Sequence, residues 1–262
     1  MRYFQVNVRK ERTEYGFMPT MQLYLLEEKD KLRPIVLIVP GGGYETVCVD
    51  SDGDRIAMQY NAAGFHAAVL CYSVAPHCFP EPQKDLMLAI RILRENAQKW
   101  GIEESQIAIC GFSAGGHLCA SVSTLWKRAG EEAVLYQPNA AILCFPILTT
   151  RLAHCRSFLM DHVGGDEEKL RLAACDEQVS SDTPPTFLYG TFEDKLTNVE
   201  NMIYYAEQLS KYTVPFEMHI FPKGYHGMSW CDDVIWAKNV RGRDYNYIRL
   251  SIEWLRELYN LL

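Results

Sequence analysis

The stretch "IAICGFSAGGHLCASVST", residues 107–124, runs from a short apolar segment through a glycine, a lone serine and two more glycines into a helix-like pattern. "QIAIC" (106–110) reads as a buried strand and 114–128 as a helix. Between them "GFSAG" (111–115) is a tight strand-to-helix turn that satisfies G-x-S-x-G. A plain glycine turn shares this pattern. A serine held in such a turn, however, projects its hydroxyl away from the backbone. Gly111 and Gly115 lack a Cβ and let neighbouring backbones pack close, and Gly116 adds further room. A hydroxyl is a weak nucleophile, so a catalytic role for Ser113 requires a base, and a group to orient that base, elsewhere in the chain.

Strand-like and helix-like segments alternate on either side of this turn. "YFQVNV" (3–8) and "MQLYLLE" (21–27) alternate apolar and polar residues and read as two opening antiparallel strands. "PIVLIVP" (34–40), "HAAVLCY" (66–72) and "AAILCFP" (140–146) are continuous apolar runs, as expected of strands covered on both faces. "TFLYG" (186–190) and "FEMHIF" (216–221) complete the strands. Helices are expected over 52–63, over 82–100 with an apolar stripe at Leu86, Ala89, Ile90 and Leu93, over 198–211, and within 244–261. Residues 151–180 are polar and irregular, with short helices. This alternation predicts a mostly parallel sheet with helices on both faces, in one domain spanning 1–262 with a small pocket-shaping insert around 146–180.

Composition narrows the function classes. With 48% hydrophobic and 23% charged residues, 262 residues can bury a large core. A net charge of −7 with no basic stripe argues against nucleic acid as a partner. No apolar run approaches a membrane span, and "MRYFQVNVRKERTEYG" is too polar for a secretory signal. Nine scattered cysteines with no CxxC read as reduced, buried residues, so a cytoplasmic location is expected.

In mostly parallel sheets, sites lie beyond the carboxyl ends of the strands, which directs attention to six loops. After residue 39, "VPGGGYE" frees consecutive backbone N–H groups to converge on one spot, as acyl transfer requires where negative charge develops on a carbonyl oxygen. The amides of Gly42 and Gly43, joined by that of Ala114, are the candidates for this oxyanion hole. No Lys follows as a phosphate-binding loop would demand. After 190, "LYGTFEDKLTNVEN" offers Glu193 and Asp194, which spacing alone does not separate; after 221, "FPKGYHGMSW" offers His226 between two glycines. His226 would accept the serine proton and the carboxylate would hold its tautomer. The alternatives fit less well. His117 follows the serine on the helix and reads as packed, His219 lies inside a strand, and Asp182 precedes a strand at the wrong end of the sheet. Asp85 sits at a helix start. His154, Asp161, His162 and Asp166 match no metal-ligand spacing.

Taken together, "PGGGY", "GFSAGGHLCA", "TFEDKLTNVEN" and "FPKGYHG" resemble the α/β-hydrolase esterases related to hormone-sensitive lipase, and within them the small bacterial acetyl esterases of the xylan-esterase or xylanase-B-like kind. The likeness runs from about residue 34 to the C-terminus. It implies an α/β-hydrolase fold with a short cap insert, Ser113 as nucleophile and His226 as base. The spacing to "KLTN" makes Asp194 the acid, although Asn198 stands where relatives carry proline. Pro40 replaces the histidine of the HGGG loop, as in the acetyl-esterase branch. The resemblance further implies hydrolysis of short acyl esters, often acetyl groups on xylose-containing sugars, with no cofactor and no metal. Tyr44, His77 and Trp230 are the candidates to stack on or hydrogen-bond such a sugar. The rival readings are an amidase or peptidase, such as a kynurenine-formamidase-like enzyme, and a non-catalytic binding protein on the same fold. The expected partner is a small-molecule ester, with a homodimer as the candidate assembly.

Overall fold

The computed structural model describes residues 1–27, 31–228 and 246–261. Its centre is strand β3, Arg33–Val39, buried at almost every position. Because successive side chains on a strand point to opposite faces, β3 feeds two cores at once. Ile35, Leu37 and Val39 join one apolar cluster, while Val36 and Ile38 join the other. That two-sided burial explains the unbroken apolar run of "PIVLIVP": a polar residue at either parity would face a packed helix.

Around β3 the sheet is built from β1 (Arg2–Asn7), β2 (Thr20–Leu25), β4 (His66–Cys71), β5 (Ile102–Phe112), β6 (Ala140–Cys144), β7 (Thr186–Thr191) and β8 (Phe216–Phe221). The order is β1-β2-β4-β3-β5-β6-β7-β8. β1 and β2 pair antiparallel, as do β2 and β4, and the pairings from β4 onward are parallel. Helices α3 (Glu81–Glu95) and α5 (Ala114–Leu125) cover one face, where Leu86, Ala89, Ile90 and Leu93 meet Leu118 and Val122 in the larger cluster. α2 (Asp54–Ala62) and α10 (Tyr247–Leu258) cover the other with Ile56, Tyr60, Tyr247 and Leu255. Each such leucine, isoleucine or valine contributes roughly 1.5–3 kcal/mol when fully buried. α9 (Glu200–Lys211) follows β7, and α6 (Ala153–His162), α7 (Glu167–Ala173) and α8 (Cys175–Gln178) form an insert between β6 and β7. A third small cluster of Phe79, Leu125, Ile147, Cys155, Leu159 and Leu170 seats that insert.

Four expected elements differ in detail. The helix over 82–100 breaks at Asn96, whose side chain donates to the Ile92 carbonyl and competes with the helical pattern; α4 (Ala97–Trp100) then resumes for one turn. The helix over 52–63 is split at Gly53 into α1 (Val49–Asp52) and α2. β5 starts at Ile102, not at 106, because Ile102 pairs with Arg33 before a bulge shifts the register to Ile35 and Ile107. α5 yields at Leu125 to a 3-10 segment, Trp126–Tyr136, interrupted at Gly130.

Candidate active site

The turn after β5 holds its serine in a strained backbone. Ser113 has φ 52° and ψ −117°, a conformation that a non-glycine residue occupies only when its surroundings enforce it. The enforcement is visible on both sides. A Cβ on Gly111 would lie 2.2 Å from the Gly115 carbonyl oxygen, and one on Gly115 would lie 2.1 Å from that of Val39. The Ser113 amide donates to the Cys144 carbonyl of the neighbouring strand at 3.0 Å. The serine side chain is thereby lifted off the end of the sheet.

His226 follows β8, flanked by Gly224 and Gly227, both at positive φ. Its Nε2 lies 2.9 Å from Ser113 Oγ and its Nδ1 2.9 Å from Asp194 Oδ2. Asp194 is 1% exposed, and its oxygens are well supplied with donors. Oδ1 accepts from the Leu196 and Thr197 amides at 2.8 and 3.0 Å, and Oδ2 lies 2.9 Å from Thr197 Oγ1. Burial pushes the carboxyl upward in pKa, but the bonds from His226, Thr197 and Leu196 outweigh it and hold the group below the usual carboxylate range. A carboxylate on that side makes Nδ1 the donor and leaves the Nε2 lone pair facing the serine hydroxyl. The Phe145 ring meets His226 edge-on at 5.1 Å. Glu193 instead turns outward to Lys223 Nζ at 2.5 Å and the Gly224 amide at 3.3 Å, so only Asp194 of the two carboxylates meets the imidazole.

The glycine loop after β3 closes the third side. Gly42 has φ 130°, and a Cβ there would sit 2.2 Å from the Thr46 carbonyl oxygen. Among the described residues, no hydrogen bond engages the Gly42, Gly43 or Ala114 amide, whereas the Gly41 amide donates to Asp52 Oδ2 at 3.0 Å. Ser113, His226 and the three glycines 41–43 line a cavity of about 380 Å³. Phe145, Ile147, Phe158 and Leu196 make its apolar wall, and Ser51, Asp52 and His154 supply polar groups.

The sugar-contact expectations fare differently. Tyr44 is 4% exposed and His77 5%, and neither lines this cavity. The Tyr44 hydroxyl is 2.7 Å from His117 Nδ1, and His77 Nδ1 is 2.8 Å from the Val74 carbonyl. Both are therefore corrected from sugar-contact candidates to packed residues that do not line the cavity. Trp230 lies outside the described residues. His117 is fully buried, His219 bonds to Glu217 at 2.6 Å, and Asp182 pairs with Lys127. Asp85 is held by Arg9 at 2.5 Å. Asp166 caps α7 through the Glu168 and Lys169 amides. Among the described residues, no group of three or more His, Cys, Asp or Glu is arranged to hold a metal ion, and no helix is long and apolar enough to cross a membrane.

Sequence reading missed Thr197, Phe145 and Asp52. The Asp194-x-x-Thr197 spacing is a local side-chain-to-backbone signal that was available. Phe145, at φ 38°, and Asp52, eleven positions beyond the glycine it holds, carry no such signal.

Known proteins share this arrangement of chain. The BD-FAE family profile matches residues 21–140. Endo-1,4-beta-xylanase B of Butyrivibrio fibrisolvens is 33% identical over 244 residues, 88% of this chain and 38% of that protein. An acetylxylan esterase of Xylanibacter ruminicola is 29% identical over 199 residues, 73% of this chain and 40% of that protein. The chain thus spans about two fifths of the length of these curated relatives. The crystal structure of an acetyl ester-xyloside bifunctional hydrolase from Caldicellulosiruptor lactoaceticus superposes with a TM-score of 0.85 at 29% identity, covering 98% of this chain and 96% of that one.

Proposed function

Because this chain belongs to the α/β-hydrolase esterases, we propose that it is a serine carboxylesterase acting on short acyl, chiefly acetyl, esters of xylo-oligosaccharides or similar sugars. The observation that carries the reading is the pair of 2.9 Å contacts through which one imidazole links Ser113 to a buried carboxylate at the mouth of a cavity.

In this reading Ser113 Oγ attacks the ester carbonyl while His226 Nε2 takes its proton. The tetrahedral oxyanion is received by the amides of Gly42, Gly43 and Ala114, which make no other hydrogen bond among the described residues. The imidazolium, stabilised by Asp194, returns the proton to the leaving sugar alkoxide. Water then attacks the acyl-enzyme with His226 again as base, and the free acid departs. No step calls for a cofactor or metal. The cavity of about 380 Å³ suits a small acyl group against Ile147, Phe158 and Leu196, with room for part of a sugar beside Ser51 and Asp52. The insert carrying α6 to α8 acts as a short cap, since α6 supplies His154 and Phe158 to the wall.

The test is hydrolysis of p-nitrophenyl acetate and butyrate by wild type and Ser113→Ala, with a fluorophosphonate label in parallel. Acetate turnover and labelling should both vanish in the variant. Turnover that survives Ser113→Ala, or a folded wild type that neither turns over nor labels, removes the reading. Faster hydrolysis of the matching anilide or formamide than of the ester would favour an amidase.

A further inference from the structure

Tyr44 follows the glycine loop directly and has φ 61°, a second strained residue beside Ser113. A bulky aromatic holds such a backbone only when its side chain is fixed from several directions. Its hydroxyl lies 2.7 Å from His117 Nδ1. His117 Nε2 lies 2.9 Å from the Ala173 carbonyl, which can only accept, so Nε2 carries the proton and Nδ1 must accept from Tyr44. His117 stands on the first turn of α5, its own amide donating to the Ser113 carbonyl at 3.0 Å. The Tyr44 ring also stacks on His162 of α6 at 3.6 Å between centroids. One buried hydrogen bond therefore spans from the loop bearing Gly42 and Gly43 to the helix that begins with Ala114.

We propose that Tyr44 and His117 form a positioning pair for the oxyanion hole, an inference that rests on the esterase reading. The distance between the Gly42 and Gly43 amides on one side and the Ala114 amide on the other is set by how the glycine loop lies against α5. The hydroxyl–imidazole bond is the side-chain tie between these two elements on the buried side. At the loop's entry, Asp52 holds the Gly41 amide and the Tyr72 hydroxyl holds the Pro40 carbonyl at 2.8 Å. Tyr44 supplies the matching tie at its exit. Neither Tyr44 nor His117 lines the cavity, so the pair acts through the amides and not on substrate.

The experiment compares p-nitrophenyl acetate hydrolysis by wild type, Tyr44→Phe, His117→Gln and the double variant. Competent sites are counted by fluorophosphonate titration to completion, and a short-chain trifluoromethyl ketone serves as the transition-state analogue. Per titrated site, Tyr44→Phe should lower kcat roughly tenfold, less than outright loss of an oxyanion donor, with KM within about twofold. The ketone's inhibition constant should rise by the same factor as kcat falls. The double variant should be no worse than the worse single one, because each change breaks the same bond. Three results overturn the proposal. One is unchanged kcat per site. Another is a rise in KM at constant kcat, which would put Tyr44 on the substrate. The last is loss of titratable sites in both single variants with no per-site change, which would make the pair a core contact only. Wild-type turnover that is abolished by Ser113→Ala, together with a normal Tyr44→Phe, sinks this inference and leaves the esterase reading standing.

Discussion

At the scale of single residues, what separates Asp194 from Glu193 is the company each keeps. The two are adjacent in sequence, yet one is 1% exposed beneath His226 and the other faces solvent with Lys223. Exposed ion pairs of the second kind contribute at most about 1 kcal/mol and leave chemistry untouched. Asp194→Asn should reverse the imidazole's preferred tautomer, since an amide nitrogen can now donate to Nδ1, and should lower kcat by the order of 10³- to 10⁴-fold. Glu193→Gln should stay within about twofold. Steady-state kinetics on an acetate ester checks the ranking, and the reverse order would assign the acid to the wrong carboxylate. The choice was only half legible in the chain: spacing left both candidates open, and likeness to known esterases selected one. The bond of Thr197 to Asp194, three residues apart, was locally legible, but the approach of Thr197 and of the Phe145 ring to the histidine depends on loops meeting from three strands, which no local pattern encodes.

At the scale of elements, the same chain order that set Ser113, Asp194 and His226 after β5, β7 and β8 brings their loops to one end of the sheet, because parallel strands all finish there. That much was legible in the alternation of strand and helix patterns. Less legible were the places where a side chain or an absent Cβ ends an element early: Asn96 drawing α3 to a close, or Gly53 dividing α1 from α2. The elbow depends most on such absences. A methyl group on Gly115 would meet the Val39 carbonyl oxygen at 2.1 Å and that of Pro40 at 2.4 Å, both backbone atoms that cannot swing aside. Gly115→Ala should therefore part α5 from β3, at a cost of about 1–3 kcal/mol or more, and shift the serine relative to the glycine loop. Gly130→Ala is the comparison: it has the positive φ that Gly115, inside α5, does not, but nothing lies within 4 Å of its added Cβ. Urea unfolding should show the larger loss for Gly115→Ala, and that variant alone should lose esterase activity while still folded. Equal losses in both would mean that the contacts of the added methyl at Gly115 cost no more than the strained φ at Gly130, and that close packing is not what the elbow requires.

For the whole molecule, burial of histidines sets how folding responds to acid. His66 joins two segments by accepting from the Leu26 amide through Nδ1 at 3.1 Å and donating through Nε2 to the Gly101 carbonyl at 3.0 Å. Only a neutral ring can do both. Burial lowers its pKa to about 4, that of His117 to about 4, and that of His162, with His117 nearby, to about 2. The unfolded chain protonates the same imidazoles near pH 6.5. Between about pH 6.5 and 4 the unfolded state thus binds protons that the folded state refuses, and stability rises with pH across that window. Below about pH 4, His66 and His117 protonate in the folded state as well, and their contribution to the slope ends. Asp194 acts lower on the scale. Its folded pKa is depressed, so the stability it lends is present above the ordinary carboxylate range and fades as pH falls through its folded value. Urea unfolding at pH 7.5 and pH 5.0 should show a clear drop at the lower pH, accompanied by net proton uptake on unfolding in a weakly buffered titration. His66→Gln, whose amide can both accept and donate but does not titrate, should reduce that uptake by close to one proton at pH 5.0. An unchanged uptake in His66→Gln would mean that His66 already carries its proton in the folded protein, and that the acid sensitivity arises from other groups.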